Sequence, residues 1–189
     1  MNRLTIRQAT ARDAGNIARL VNEAYRPRPG AGGWTHESSL VSGERTNARK
    51  VEALLSHSVV RVGLRGATIV ACVQIEGKGE EAHIGMLAVK PAMQRAGVGD
   101  AMLTQAERYA ESSLGAEQFV LFVVAARSEL IQFYLRRGYE ETTQRLPDPV
   151  GSGVGTPRDR ALDVAVLRKR SGASLEPAGP SAGASRSSA

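Results

Sequence analysis

The residues of this chain best suited to chemistry lie in one short turn, Gln94-Arg95-Ala96-Gly97-Val98-Gly99, followed at once by Asp100. Two glycines one residue apart open backbone angles closed to other residues, so main-chain N–H groups can converge on one point. Arg95 beside them either adds its charge to those amides or lies solvated on the surface. Such a turn holds an anion, above all a phosphate. The neighbouring side chains narrow the kind. A triphosphate-binding loop ends Gly-Lys-Ser/Thr, whereas this turn ends Gly99-Asp100-Ala101. A dinucleotide fingerprint needs a third glycine where Met102 stands, and no strand-helix-strand unit opens the chain.

The turn needs a strand before it and a helix after it. Ala82 to Lys90 is mostly apolar without regular polar alternation, as expected of a strand covered on both faces. Pro91 lacks an N–H and should end its pairing. Beyond the turn, Val98, Met102, Ala106 and Tyr109 recur at helical spacing, so the glycines sit at the positive end of a helix dipole. Upstream, Arg3 to Gln8 predicts a half-buried strand, and Thr10 with Asp13 a capping box opening a helix to about Tyr25. A Pro- and Gly-rich loop precedes a second helix from about Thr46 to Ser56, and strands follow over Val59 to Leu64 and Thr68 to Glu76. Downstream, Ser112 to Ala116 reads as a connection and Gln118 to Val124 as an interior strand. Ser128 to Arg137 reads as a helix capped by Ser128 and stopped by Gly138, Leu146 to Arg160 as a loop, and Ala161 to Leu167 as a last strand.

Composition sets the bounds. The 189 residues, 42% of them hydrophobic, predict one domain over residues 1–170, with a Ser/Ala/Gly/Pro tail over 171–189 too poor in bulky apolar residues to order. The formal charge of +6 calls for an anionic partner. Nucleic acid is disfavoured, because the arginines are dispersed and no aromatics interleave with them. A lone cysteine, Cys72, excludes an internal disulfide and a cysteine-based metal cluster, and it reads as a small core residue. No apolar run is long enough to span a bilayer, and the expected setting is a reducing cytoplasm with no membrane partner.

Taken whole, MLAVKPAMQRAGVGDAML resembles the pyrophosphate loop of the GNAT superfamily of acyl-CoA N-acyltransferases, and the order of elements matches that family over roughly residues 3 to 168. The resemblance implies an α/β fold: a mixed, mostly antiparallel sheet of six to seven strands flanked by about four helices. A splay between the fourth strand, Ala82–Lys90, and the fifth, Gln118–Val124, would form a notch for the pantetheine arm. It implies acetyl-CoA as cofactor, held by Gln94, Arg95, Ala96, Gly97, Val98, Gly99 and Asp100, with Met86, Leu87, Ala88 and Val89 as the edge that pairs with pantetheine. Backbone amides near Leu87 and Ala88 would face the thioester oxygen.

LIQFYLRRGYE resembles the family's second motif, which assigns Tyr134 as the acid that protonates the departing thiolate; otherwise Tyr134 is core. Seven residues earlier the family has an asparagine that bonds pantetheine, and here it is Arg127; either Ser128 takes over the contact or Arg127 reaches a phosphate. The loop GGWTHESSLVSGERT stands where the family builds its acceptor wall. Its Trp34, Glu37 and Arg45 either line that pocket, with Glu37 as a candidate base, or simply pack and solvate the surface. His83 reads as a structural histidine far from the splay, and His57 as a helix-terminal charge. The expectation is an N-acetyltransferase acting on a small-molecule, peptide or protein amine by direct attack in a ternary complex, as monomer or homodimer. The alternative is a non-catalytic acyl-CoA sensor on the same fold.

Overall fold

The computed structural model describes residues 3–28, 30, 33–147, 155–158 and 162–172. The expected tail lies outside them from residue 173 onward. Among the described residues nine strands and four α-helices follow one another: β1 (Thr5–Gln8), α1 (Ala14–Tyr25), β2 (Val41–Ser42), α2 (Ala48–Leu55), β3 (Val59–Arg65), β4 (Thr68–Lys78), β5 (Glu81–Val89), α3 (Val98–Leu114), β6 (Gln118–Val124), α4 (Ser128–Leu135), β7 (Glu140–Pro147), β8 (Thr156–Pro157) and β9 (Asp163–Arg170). Seven strands make one sheet in the order β1-β3-β4-β5-β6-β9-β7, and β2 pairs with β8 apart from it.

Every neighbouring pair in the large sheet is antiparallel except β5 and β6. Those two run parallel and pair only at Glu81–Gln118, Ala82–Phe119 and His83–Val120, after which they separate. The expected splay is therefore present. Its closed end is fastened by Arg168 of β9, whose guanidinium donates to both the Glu81 carboxylate and the Gln118 side-chain oxygen. That contact holds the Glu81 carboxyl below its ordinary range.

The sheet divides the core in two. On one side β4 presents Ala71, Val73 and Ile75 to Met102, Leu103 and Ala106 of α3, with Ile131 and Tyr134 of α4. On the other, Ile17, Leu20 and Val21 of α1 and Val51 of α2 meet Val60, Val62, Cys72 and Ala88. Period-two strands between period-3.6 helices produce this division, and each fully buried Leu, Ile or Val contributes about 1.5–3 kcal/mol of transfer free energy. Gly63 lets α3 lie close to β3, because a Cβ there would stand 3.0 Å from the Met102 sulfur. At the start of α1, the Asp13 carboxylate accepts the Thr10 N–H at 2.8 Å and a two-pronged guanidinium contact from Arg7 at 2.8 and 2.9 Å.

Several boundaries differ from the sequence reading. α3 continues through Ser112 and Ser113 to Leu114 before the left-handed Gly115 ends it. α4 is capped at Arg127 with no side-chain cap bond, so Ser128 is its first turn rather than its cap, and it closes at Leu135. β7 has no counterpart in that reading: EETTQRLP is almost wholly exposed, as an outermost strand hydrogen-bonded on one side is free to be. Within the expected loop after it, Leu146–Pro147 belong to β7 and Thr156–Pro157 form β8, while residues 148–154 and 159–160 lie outside the described ones. Phe122, expected in the sheet interior, is 46% exposed because β6 has already parted from β5 there. Among the described residues no helix is long and apolar enough to cross a membrane.

Candidate active site

The opening between β5 and β6 begins one residue beyond the last paired position and widens at an irregularity in β5. Cys72 pairs with Ala88 and Gln74 with Gly85, so Met86 and Leu87 together stand opposite the single residue Val73. Met86 takes a φ of 43°, a left-handed conformation rare outside glycine, as bulged strands require. The buried Cys72 thiol fills the inside of the bulge, 3.6 Å from the Met86 carbonyl and hydrogen-bonded by the Ala88 N–H; burial pushes its pKa up to about 12.

The ladder decides which amides face the opening. Lys90 N–H donates to the Val70 carbonyl at 2.8 Å, so by antiparallel alternation Ala88 also turns its main chain to β4, and Val89 turns away from it. Leu87, within the bulge, has no register partner on β4. Of the two residues expected to offer an oxyanion donor, Ala88 is thus committed to the sheet, and Leu87 borders the gap.

Two cavities flank the opening. The first, about 470 Å³, is lined by the turn at Gln94, Arg95, Gly97, Gly99 and Asp100, by Leu87 and Val89, by Phe133 of α4, and by Arg136 and Arg137 just past its end. The second, about 530 Å³, lies toward α1 and α2 and is lined by Glu37, Arg45, Lys50, His57, Met86 and Tyr134 among others. Tyr25, Leu87 and Arg127 border both. The two chambers therefore adjoin at the splay.

At the first chamber the turn departs in detail from expectation. The left-handed residues are Arg95 (φ 64°) and Gly97 (φ 75°), not the two glycines, and Gly99 already belongs to α3. A left-handed non-glycine residue costs about 1–2 kcal/mol, and here it turns the chain so that α3 begins facing the cavity. A Cβ on Gly99 would meet only Phe133 and Val89, each at 3.7 Å, so the fold itself has room for one. The Gln94 amide is taken at both ends, accepting the Trp34 N–H at 2.9 Å and donating to the Val89 carbonyl at 3.1 Å. Its part is to brace the turn. Asp100 is paired with Arg137 at 2.6 Å, and the Arg137 guanidinium lies 3.5 Å from the Phe133 ring centre. Val98 points into the core, Ala96 lies exposed on the turn, and Ser128 is exposed and borders neither chamber.

Around the second chamber the buried charges converge on one carboxylate. Glu37, 5% exposed, is ion-paired to Arg26 and lies 3.5 Å from Arg45 Nε and 3.9 Å from Arg127 Nη1. Arg127 also donates to the Thr35 hydroxyl oxygen at 2.6 Å, and Thr35 in turn donates to Glu129 at 3.0 Å, which binds the loop to the start of α4. The guanidiniums of Arg45 and Arg127 lie 5.3 and 5.5 Å from the centre of the Tyr25 ring. Trp34, expected beside Glu37 and Arg45, borders the other chamber, its ring 6.1 Å from Phe133. Tyr134 is 5% exposed, packed edge-on to Phe133 and Tyr139. Burial raises its pKa well above that of a free phenol, so it keeps its proton at neutral pH. His83 is the last paired residue before the strands part, with its ring 5.1 Å from Phe122, so it stands at the crotch of the splay rather than far from it.

Sequence reasoning missed Tyr25, Thr35, Phe133, Arg136 and Arg137 as lining residues. For the two arginines a signal exists in the sequence, a basic pair one turn beyond Phe133.

A bulged, diverging strand pair with an anion-binding turn at a helix start on one face defines an acyl-CoA-binding acyltransferase architecture. The family model described as the acetyltransferase (GNAT) family matches residues 18–139. The chain belongs to that family, acetyltransferases that use acetyl-CoA as acyl donor. No curated protein sequence matches it. Among solved structures, the PaiA N-acetyltransferase of Thermoplasma acidophilum in complex with coenzyme A is 15% identical, with a TM-score of 0.69 over 89% of this chain and 99% of that one. The ribosomal-protein-S18-alanine N-acetyltransferase of Escherichia coli is 17% identical, with a TM-score of 0.65 over 95% and 98%. A spermidine N-acetyltransferase chimera from Vibrio cholerae is 16% identical, with a TM-score of 0.65 over 89% and 95%. At these identities the likeness is one of fold.

The residues present fit acetyl-CoA. Left-handed Arg95 and Gly97, the start of α3 and the guanidiniums of Arg95, Arg136 and Arg137 would offer a pyrophosphate both amides and charge, and Val89, its carbonyl taken by Gln94, leaves its N–H turned away from β4.

Proposed function

We propose that the chain transfers acetyl from acetyl-CoA to a primary amine that enters through the second chamber, by direct attack with both substrates bound. The observation that carries this reading is the junction at Tyr25, Leu87 and Arg127, which border both chambers and so make the passage at which a group held by the turn and a group held against α1 and α2 would meet. Acetyl-CoA supplies a thioester whose carbon–sulfur bond breaks as the amine nitrogen bonds to the carbonyl carbon. The Leu87 main chain faces the carbonyl oxygen, where a preorganised N–H dipole stabilises developing charge. Tyr134 donates its proton to the departing sulfur, and the proton lost from nitrogen leaves through water.

Glu37 is a poor base in this arrangement, since its oxygens already serve three guanidiniums. We assign it to positioning Arg45 and Arg127. Trp34 and Thr35 form the rim of the donor chamber. Release of free CoA thiol from acetyl-CoA, measured across a panel of primary amines, tests the reading. Amine-dependent release supports it. Tight acetyl-CoA binding with no amine-dependent release on any member of the panel overturns it in favour of a non-catalytic acyl-CoA sensor.

A further inference from the structure

We propose that the acceptor is an amino acid with an apolar side chain, and that Arg45 and Arg127 receive its carboxylate; this rests on the second chamber being the acceptor side. Among the described residues lining that chamber, the cationic side chains are Arg45, Lys50 and Arg127, and the sole carboxylate is Glu37. Glu37 is already claimed by Arg26 from outside the chamber, and the other carboxylate near Arg127, Glu129, is not part of the chamber lining, so within the chamber cationic groups outnumber carboxylates. A chamber for a polycationic amine would show the reverse balance.

The second observation is an unmet hydrogen-bonding demand. The Arg127 side chain is 7% exposed, yet its Nε–H meets no acceptor, its nearest carboxylate oxygen on Glu129 lying 4.0 Å away. The Arg45 Nε–H is likewise buried and unmet, although Glu37 stands 3.5 Å from it. A buried N–H of a charged group without an acceptor is costly, and an arriving carboxylate, with two oxygens and about four lone-pair sites, relieves it. Both guanidiniums rest against the Tyr25 ring, whose hydroxyl is fixed to the Leu87 carbonyl, so they are preorganised beside the bulge. Arg127 borders both chambers. A carboxylate held there brings an α-amino nitrogen, two bonds from the carboxylate carbon, to the passage. Besides the polar Thr46, Lys50, His57 and Gln74, the wall carries Val21, Leu54, Ile84, Met86, Leu121 and Leu130, an apolar stretch that suits a hydrocarbon side chain.

The test uses matched pairs: leucine against 3-methylbutylamine, and phenylalanine against phenethylamine, with spermidine as the polycation. CoA thiol release is the first readout. The second needs no turnover: calorimetric titration of N-acetyl-leucine, and of N-(3-methylbutyl)acetamide, into the protein saturated with CoA. The amino acids are expected to exceed their decarboxylated partners about ten- to hundredfold in kcat/KM, the range of one charged hydrogen-bonded contact. N-acetyl-leucine is expected to bind, and its uncharged counterpart to bind at least tenfold more weakly. Arg45→Gln should raise KM for leucine about tenfold or more, and KM for 3-methylbutylamine by several-fold less than that.

Equal or better use of the decarboxylated amines or of spermidine overturns the carboxylate site and leaves acetyl transfer standing, as does an Arg45→Gln variant that affects both members of a pair alike. If no amine supports release, acetyl transfer falls, and the titration alone decides the site. N-acetyl-leucine binding that is lost in Arg45→Gln sustains it, and absence of binding overturns it.

Discussion

Tyr25 donates its hydroxyl proton to the Leu87 carbonyl across 3.2 Å, tying the last turn of α1 to the bulge of β5 at the point where the two chambers meet. Burial raises the pKa of that phenol, so it stays a donor. The same ring carries two guanidiniums, so one side chain links the second chamber to the bulged strand. Tyr25→Phe keeps the ring and removes only the bond. Urea unfolding should show about 1 kcal/mol lost, and thermal unfolding about 2–4 °C, with acetyl-CoA affinity retained.

Tyr134→Phe addresses the proton. The phenol is buried, borders the second chamber and keeps its hydrogen at neutral pH, so on the proposed mechanism what the variant loses is donation to the leaving sulfur. Single-turnover rates should fall about 10²- to 10⁴-fold while calorimetric acetyl-CoA affinity stays within about twofold. An unchanged chemical step would remove Tyr134 from catalysis.

The two glycines of the turn should separate by experiment. Gly97 has open space around it but a φ of 75°, so Gly97→Val strains the backbone by about 1–2 kcal/mol and lowers stability whether or not ligand is present. Gly99→Ala fits the fold, with protein neighbours no nearer than 3.7 Å. Its expected phenotype is unchanged thermal stability with acetyl-CoA bound at least several-fold more weakly, because the new methyl stands where main-chain amides must approach pyrophosphate.

What sequence revealed and what it hid divide along physical lines. The run from Ala82 through Ala110 was legible because apolar strand, proline stop, glycine turn and 3.6-residue stripe each leave a local mark. β7 left none, since an exposed outermost strand needs no alternation. Trp34 and Glu37, three residues apart, were read as one wall. The Trp34 N–H is held by Gln94 and the Glu37 carboxylate by Arg26, and these long-range partners send the two side chains to different chambers. Arg127 marked a departure from the family's asparagine, but its place at the junction follows only from how α1, β5 and α4 meet.

Cys72 predicts an alkaline effect. Its thiol is pushed up to about 12 in the folded chain, against about 8.5 in an unfolded one. Below about pH 8.5 both states carry the proton and this group adds no pH dependence. Between there and about 12 the unfolded chain loses the proton first, so it binds fewer protons and stability declines as pH rises. Cys72→Ala should lessen that slope in denaturant titrations between pH 8.5 and 10.5. In the wild type, iodoacetamide at pH 8 should label the thiol only as fast as the chain opens.

Glu37→Gln distinguishes a base from a charge hub. A base poised for the amine would leave the fold intact when neutralised and abolish turnover. The geometry argues otherwise: Arg26 and Arg127 are 9% and 7% exposed and share this carboxylate, so the amide removes the charge that both guanidiniums face. Breaking one partner of a buried ion pair costs about 3–5 kcal/mol, and that loss should appear as a lower denaturant midpoint at unchanged slope. An added carboxylate ligand should restore part of it, since a second anion among these guanidiniums does the work of the first. Normal stability with turnover abolished would instead place Glu37 in the proton path of the amine.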